Sequence, residues 1–367
     1  MSSHGPRIIV VGAGLVGASI AWHLAARGAC VTIFEAGEPG GVATPNSFAW
    51  INSNYSFPEP YFRLRHHSMH DWHRLARDVP GLPVSLHGSI YLPAARIDLP
   101  EFVARNAAWG YRVELIDGAR VRELEPNLAL VADIAAHALD EGAVEPVEVA
   151  QTLVRAAVEQ GAELRTRARV DHLHVTDGGV AGVVSGDETI VADDVVVATG
   201  AATAVLVSEA GFTVPLSSLP GLLAHTRPVS RMLNGLVLAD GLHVRQKANG
   251  QLLAGSDYQG TELADDPAAG GEELMRRLRL AISCGEPLVL ERTTTGLRPM
   301  PGDGLPIVGR VPGISGLYVA VTHSGVTLCP ALGDFASREI VDGDRDRLLG
   351  PFGPERFDSA HMVRAAG

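Results

Sequence analysis

The sequence predicts a mixed α/β fold in which a nucleotide-binding domain, built on a parallel sheet, is interrupted by an antiparallel-rich second domain. Three observations predict it. The opening run R-I-I-V-V-G-A-G-L-V-G at 7–17 leads β-branched residues straight into a glycine-rich turn. A second apolar segment at 30–34 then ends on Glu35. Further along, blocks of short strands separated by Gly-rich turns alternate with helical stretches.

The opening reads as strand, turn, helix and strand. An apolar helix runs over 15–27, and Gly28 breaks it before the second strand. Each glycine has a mechanical task. Gly12 permits the tight turn, Gly14 lets the backbone approach a pyrophosphate, and Gly17, with Ala18 and Ala21, lets the helix lie close on the sheet. The helix start offers N–H groups to phosphates, and Glu35 can accept from ribose hydroxyls. A chance glycine-rich turn is the alternative, and the strand–turn–helix–strand context favours the Rossmann-like reading. By itself the fingerprint leaves FAD and NAD equally open.

A loop rich in Gly, Pro, Ser and Asn follows to about residue 60, then a helix over 61–79. Short strands and helices fill 83–140, including 89–92, 100–109 and 113–116. A helix is expected over 146–160, then strands at 164–170, 172–175, 180–184 and 194–198. Strands dominate 213–295, at 221–226, 236–238, 242–245 and 252–254, with an arginine-rich helix over 272–284. The tail returns to strand at 316–321, a turn at 323–325 and a helix over 328–341. No internal repeat or low-complexity tract is present.

Composition narrows the function. A chain of 367 residues with 46% hydrophobic and 20% charged residues is that of a soluble enzyme large enough for two subdomains. A net charge of −12 argues against nucleic acid or an anionic membrane as partner. Lys247 is the single lysine. Cys30, Cys284 and Cys329 are scattered without metal-site spacing, which suits a reducing cytoplasm. The first strand starts by residue 7, leaving no room for a signal peptide, and no apolar run reaches the length of a membrane span. A cytoplasmic location is expected.

Four segments resemble the flavin-dependent D-amino-acid oxidase, glycine oxidase and sarcosine oxidase superfamily, over almost the full chain. They are the fingerprint with Glu35, the loop G-V-A-T-P-N-S-F-A-W at 41–50, and the V-V-V-A-T-G run ending at Gly200. The fourth and most specific is G-L-R-P-M-P-G-D-G-L-P-I-V-G at 296–309, followed by G-L-Y-V-A and H-S-G-V-T-L. The resemblance implies FAD over NAD. It implies that Gly12, Gly14 and Gly17 hold the pyrophosphate and Glu35 the ribose. Thr44, Ser47 and Ala49 match loop contacts to pyrophosphate and flavin, and Val170 matches a backbone contact to adenine. Gly200 falls near the dinucleotide, and Gly325, Val326, Thr327 and Leu328 border the pyrimidine edge of the ring. Covalent relatives carry cysteine where this chain has Gly296, so non-covalent FAD is expected. The implied organisation is a discontinuous FAD-binding domain (1–82, 141–212 and 296–367) and an inserted antiparallel-sheet substrate domain (83–140 and 213–295).

The same resemblance points to catalytic residues. Arg298 matches the position that binds a substrate carboxylate, a task suited to a planar, permanently charged fork. Its structural alternative is a pair with a nearby acid such as Asp303. His243 aligns with a substrate-facing tyrosine, on a strand where Arg245 and Lys247 share its face; the alternative is a half-exposed strand histidine. His323 either sits over the flavin or caps its own turn. Trp50 walls the substrate pocket or belongs to the core. His66, His70 and His73 fall on one helical face, but without a carboxylate or cysteine partner they read as solvated, and no metal is expected; His67 is the one histidine of this helix that could point toward the flavin. Some relatives use a lysine near the position of 256–258 here, and Lys247 does not match it, leaving oxidase and dehydrogenase open.

The expected activity is oxidation of the CH–NH bond of a small amino acid or secondary amine, by hydride transfer to flavin, with oxygen or another acceptor. The alternatives are a flavin dehydrogenase of a hydroxy acid, a flavoprotein subunit passing electrons to a partner, and an NAD-dependent dehydrogenase. A homo-oligomer and a complex with a second chain both stay open.

Overall fold

Apolar, β-branched strands buried on both faces assemble in parallel, as their composition dictates. The first strand, β1 (Arg7–Val11), pairs in parallel with β2 (Cys30–Phe34) and with Asp194–Val197. The six-stranded sheet has the order Ile307–Arg310, Leu317–Val321, Asp194–Val197, β1, β2, Glu163–Arg165, with only the Ile307–Arg310 edge antiparallel. The computed structural model describes residues 5–54, 58–95, 97–130, 132–256, 266–283 and 287–358. Cys284 and the 257–258 part of the lysine position lie outside them.

The helix α1 (Leu15–Ala26) is apolar almost all round, and most of it is buried. It packs between the helices Pro146–Glu159 and Gly325–Asp342. The contact is close because it is made by small residues. A Cβ at Gly17 would stand 1.9 Å from the Gly12 carbonyl oxygen, and one at Gly333 would stand 2.3 Å from Ser19 Oγ. Helix α2 (Glu59–Asp78) lies against the same Gly325–Asp342 helix.

The eight-stranded sheet has the order Leu290–Pro301, Leu216–Thr226, Leu252–Gly255, Leu242–Gln246, Leu236–Ala239, Ser89–Tyr91, Ile134–Ala138, Val113–Asp117. Its neighbours run antiparallel, except that Leu236–Ala239 and Ser89–Tyr91 are parallel. One face is covered by the helix Pro267–Ala281, whose Leu274, Met275 and Leu278 pack with Val244, Leu252 and Ala254. The opposite face carries Leu223 and Leu253 against Phe48 of the 41–50 loop. This second face positions the site.

Some expected elements differ. The G-L-R-P motif, to which the sequence assigns no element, lies in the long strand Leu290–Pro301. Its prolines are tolerated because the strand is at the sheet edge. The strand expected over 164–170 is only Glu163–Arg165, because the chain turns at Arg167 with φ +52°. The arginine-rich helix starts earlier, at Pro267, where Asp266 caps it by accepting from Ala268 N at 2.8 Å. The last helix starts at Gly325, not 328.

Candidate active site

The fingerprint forms a cradle that only glycine backbone allows. Gly12 has φ +100°, and a Cβ there would press to 2.7 Å from the Ala198 oxygen. Gly41 has φ +63° and packs on Gly14, whose Cα would stand 3.3 Å from a Cβ at Gly41. The start of α1 has no side-chain cap and no acid in its first turn, so its N–H groups suit a phosphate. Glu35 Oε2 accepts from Ala13 N (2.8 Å) and Oε1 from Gly37 N (2.9 Å), which fixes the carboxylate at the cradle's rim. Each oxygen retains a second lone pair for a hydroxyl.

The 41–50 loop is held in a strained turn. Ala49 has φ +63° and is buried, and Ser47 Oγ accepts from its N–H at 3.0 Å. Thr44 is buried in a short 3₁₀ turn, Thr44–Asn46. Val170 is buried beside Phe34 and Val195, and Gly200 begins a short turn with φ +58°.

From the chain's other end, Gly325, Val326, Thr327 and Leu328 form the first turn of the Gly325–Asp342 helix, whose N-cap Ser324 makes no side-chain capping bond. Thr327 Oγ1 accepts from Asn52 N and donates toward the Trp50 carbonyl, both at 3.3 Å. Ser68 Oγ and Trp72 Nε1 of α2 donate to the Thr327 and Val326 carbonyls at 2.7 and 3.2 Å. The last helix, α2 and the exit of the 41–50 loop are thereby stapled together.

His323 sits at this junction. Its Nε2 is 3.1 Å from Tyr61 Oη, its Nδ1 is 3.2 Å from Ser324 Oγ, and Tyr61 donates to Ser324 Oγ at 2.8 Å. Burial, helped by the charges of Arg65 and Arg298, lowers its pKa to about 4, so the imidazole is neutral at pH 7. The turn itself is capped by Thr322, whose Oγ1 accepts from Ser324 N at 3.1 Å.

Arg298 does not take Asp303, which pairs instead with Arg356 at 2.7 and 3.2 Å. The ladder register puts Arg298 opposite Leu219, and Thr294 opposite Leu223, Gly255 and then His243 across successive strands. Arg298 and His243 therefore lie on the same sheet face. The His243 ring is buried, 6.3 Å from Phe48 and 6.1 Å from Trp50. Arg245 shares that face as expected, donating from Nε to the Phe48 carbonyl (2.7 Å) and from Nη1 to Glu145 (3.0 Å).

Three groups escaped the sequence reading. Tyr61 joins His323 and Ser324. Arg65, buried on α2, donates to the Asn52 carbonyl and side chain at 3.1 and 2.5 Å. Glu141 is wholly buried and accepts from Tyr91 (2.6 Å), Tyr111 (2.6 Å), Asn54 (2.7 Å) and, through its other oxygen, Trp50 Nε1 (2.7 Å). The available signal was an arginine inside the apolar period Tyr61, Leu64, Arg65, Ser68, Trp72 of α2. Glu141 gives no comparable local signal.

The histidines of α2 go elsewhere. His66 stacks on Phe62 and meets His70 at 4.7 Å between ring centroids. His67, half-exposed, pairs with Asp71 and packs on Phe335. Among the described residues no three His, Cys, Asp or Glu side chains form a metal-holding group, and no helix is long and apolar enough to cross a membrane.

Comparison with known proteins supplies the family. The family model described as FAD dependent oxidoreductase matches residues 7–338. The chain belongs to that family. It is 26% identical over 364 residues to the glycine oxidase of Bacillus licheniformis, covering 96% of this chain and 98% of the relative. It is 25% identical over 373 residues to one of the subunits of the opine oxidase of Agrobacterium tumefaciens, covering 96% and 98%. The crystal structure of glycine oxidase from Geobacillus kaustophilus shares 26% identity and a TM-score of 0.84 over 95% of this chain and 98% of that one. The chain is an FAD-dependent oxidoreductase of glycine oxidase-like fold, and its glycine cradle and uncapped helix start fit a dinucleotide's pyrophosphate.

Proposed function

We propose that the protein oxidises the CH–NH bond of a small amino acid or secondary amine, with Arg298 anchoring the substrate carboxylate. The observation that carries this reading is the shared sheet face of Arg298 and His243, turned to the flavin-type loop, with neutral His323 within reach of the Arg298 charge. FAD, when bound, supplies the hydride acceptor. The residues bind and orient. Arg298 fixes the acid end, His243 borders the amine end beside Trp50, and His323 with Tyr61 and Ser324 holds a hydrogen-bonded wall that stays uncharged at neutral pH. A buried wall without negative charge offers an ammonium no partner and so favours the neutral amine, the form that gives up hydride.

In this reading Gly12, Gly14, Gly17, Glu35, Thr44, Ser47, Ala49, Val170, Gly200 and 325–328 hold FAD. Its domain is formed by 1–82, 141–212 and 296–367, and 83–140 with 213–295 carries the substrate. Attachment is non-covalent. A Cβ at Gly296 would come within 2.6 Å of the Asn46 carbonyl oxygen, which leaves a cysteine no room there. A cytoplasmic location completes the reading, supported by the scattered, unpaired Cys30 and Cys329.

The test is an anaerobic screen of the yellow protein against glycine, sarcosine, D-amino acids, proline derivatives and polyamines. Bleaching by amino acids, and not by the hydroxy acids included as controls, is expected. A flavin that no amine bleaches would remove the assignment. A second reading, in which the chain hands electrons to a partner chain, is favoured by the likeness to a component of the Agrobacterium tumefaciens opine oxidase. It predicts turnover with dyes but not oxygen, and a copurifying second chain.

A further inference from the structure

The basic groups of the eight-stranded sheet do not end at the site just described. The ladder sets Arg245 opposite Leu253, Leu253 opposite His225, and His225 opposite Arg292, as one rung across four strands. This rung lies on the same face as His243 and Arg298. Along Leu290–Pro301 it is six residues from Arg298, about 20 Å at strand rise. It therefore cannot serve the carboxylate that Arg298 holds.

At this rung the sheet meets Pro45 and Ser47 of the flavin-type loop and the start of the Pro146–Glu159 helix, leaving a cleft of about 80 Å³. Arg245, Lys247, Arg292 and His225 line it, together with Glu145 and Glu148. Its lining carries three cations against two carboxylates. Glu145 alone answers two cations, Arg245 at 3.0 Å and Lys247 at 3.4 Å. Arg292 reaches Glu291 at 3.4 Å, in an exposed pair that solvent screens. Glu148 is exposed at the rim. Glu145 makes no capping bond to the helix, so the helix start adds partial positive charge to the same cleft.

His225 sits among these cations. It is buried, its Nε2 is 2.9 Å from Thr294 Oγ1, and its Nδ1 is 3.5 Å from Arg292 Nη2. Its pKa falls to about 4, through burial first and then the charges of Arg292, Lys247 and Arg245.

We propose that this cleft binds a small oxyanion, a carboxylate or a phosphate, at a second site beside Pro45 and Ser47 of the flavin-type loop. Lys247 and Arg292 are its principal ligands, and Arg245 and the helix start complement the charge. Glu145 competes with the anion for the two cations it holds. A compact oxyanion suits both the volume and the convergence of donors.

The experiment is calorimetric titration of the flavin-loaded protein with inorganic phosphate and, separately, acetate, at low ionic strength. Saturable binding of one anion per chain that Arg298→Ala leaves in place is expected, and the preferred titrant tells phosphate from carboxylate. Lys247→Ala and Arg292→Ala should each weaken it by about tenfold or more. Glu145→Gln should tighten it, an effect that a purely structural ion pair does not produce. The proposal is overturned if neither anion binds before added salt screens the cleft, or if both cation variants bind as tightly as the parent. If Glu145→Gln does not fold, the two cation variants decide the matter alone.

Discussion

At the residue scale, the site depends on charges placed where water is scarce. Arg298→Ala should raise KM for amino acids by roughly 10- to 100-fold while changing much less for amines without a carboxylate, because a charged hydrogen bond in a shielded site contributes about 1.5–3 kcal/mol. Equal losses on both substrate classes would deny Arg298 its anchoring role. The histidines give a pH signature. His323, His225 and His23 each have a pKa lowered from 6.5 to about 4, mainly by burial. The unfolded chain therefore binds more protons between these values, so stability is fully present above about pH 6.5 and declines as pH falls toward 4. Melting temperature against pH should show that decline, and His23→Gln should make it shallower. Cysteine at 296 is the reciprocal test of the loop contact. Gly296→Cys should lower flavin occupancy, not create a covalent adduct, since its Cβ meets the Asn46 backbone; flavin retained on the denatured protein would contradict this.

At the element scale, the segment leaving the 41–50 loop is pinned from three directions: Thr327 holds Asn52, Arg65 holds Asn52 from α2, and Glu141 gathers Trp50 and Asn54. Glu141→Leu removes the acceptor of two tyrosines, an amide and an indole in one step. Stranding those buried donors should cost about 3 kcal/mol or more, read by denaturant unfolding. A loss under about 1 kcal/mol would mean that the donors find other partners. How much was legible in the sequence differs by element. The β1–α1–β2 unit could be read closely because its turn sterics and apolar runs are local. The strand Leu290–Pro301 could not, because its two prolines argue against a strand unless one knows that it lies at a sheet edge. The cluster around Glu141 was equally hidden, since its donors come from residues 50, 54, 91 and 111 and meet only after folding.

At the scale of the whole molecule, distant parts of the chain pack together: α1, which follows the glycine cradle, lies between the Pro146–Glu159 helix and the last helix, Gly325–Asp342. Ligand that binds only this assembled form must stabilise it. Adding FAD at about 100 times its Kd should raise stability by about 2.7 kcal/mol, seen as a higher melting temperature than that of the stripped protein. An unchanged melting temperature would mean that the cradle does not hold the dinucleotide. The same long-range closure makes Gly333 sensitive. Gly333→Val would drive a side chain into Ser19 and His23 of α1 and should lower the melting temperature markedly.

The sequence by itself determined the parallel nucleotide-binding core, the glycine turn with Glu35, and Arg298 as a candidate anchor. Each rests on sterics or motifs carried by neighbouring residues. Tertiary structure alone decided that Asp303 belongs to Arg356, that Tyr61 and Ser324 embrace His323, and that one carboxylate answers both Arg245 and Lys247. Those outcomes turn on burial and on charges distant in the chain. Neither has a value until the sheet register and helix packing bring the groups together.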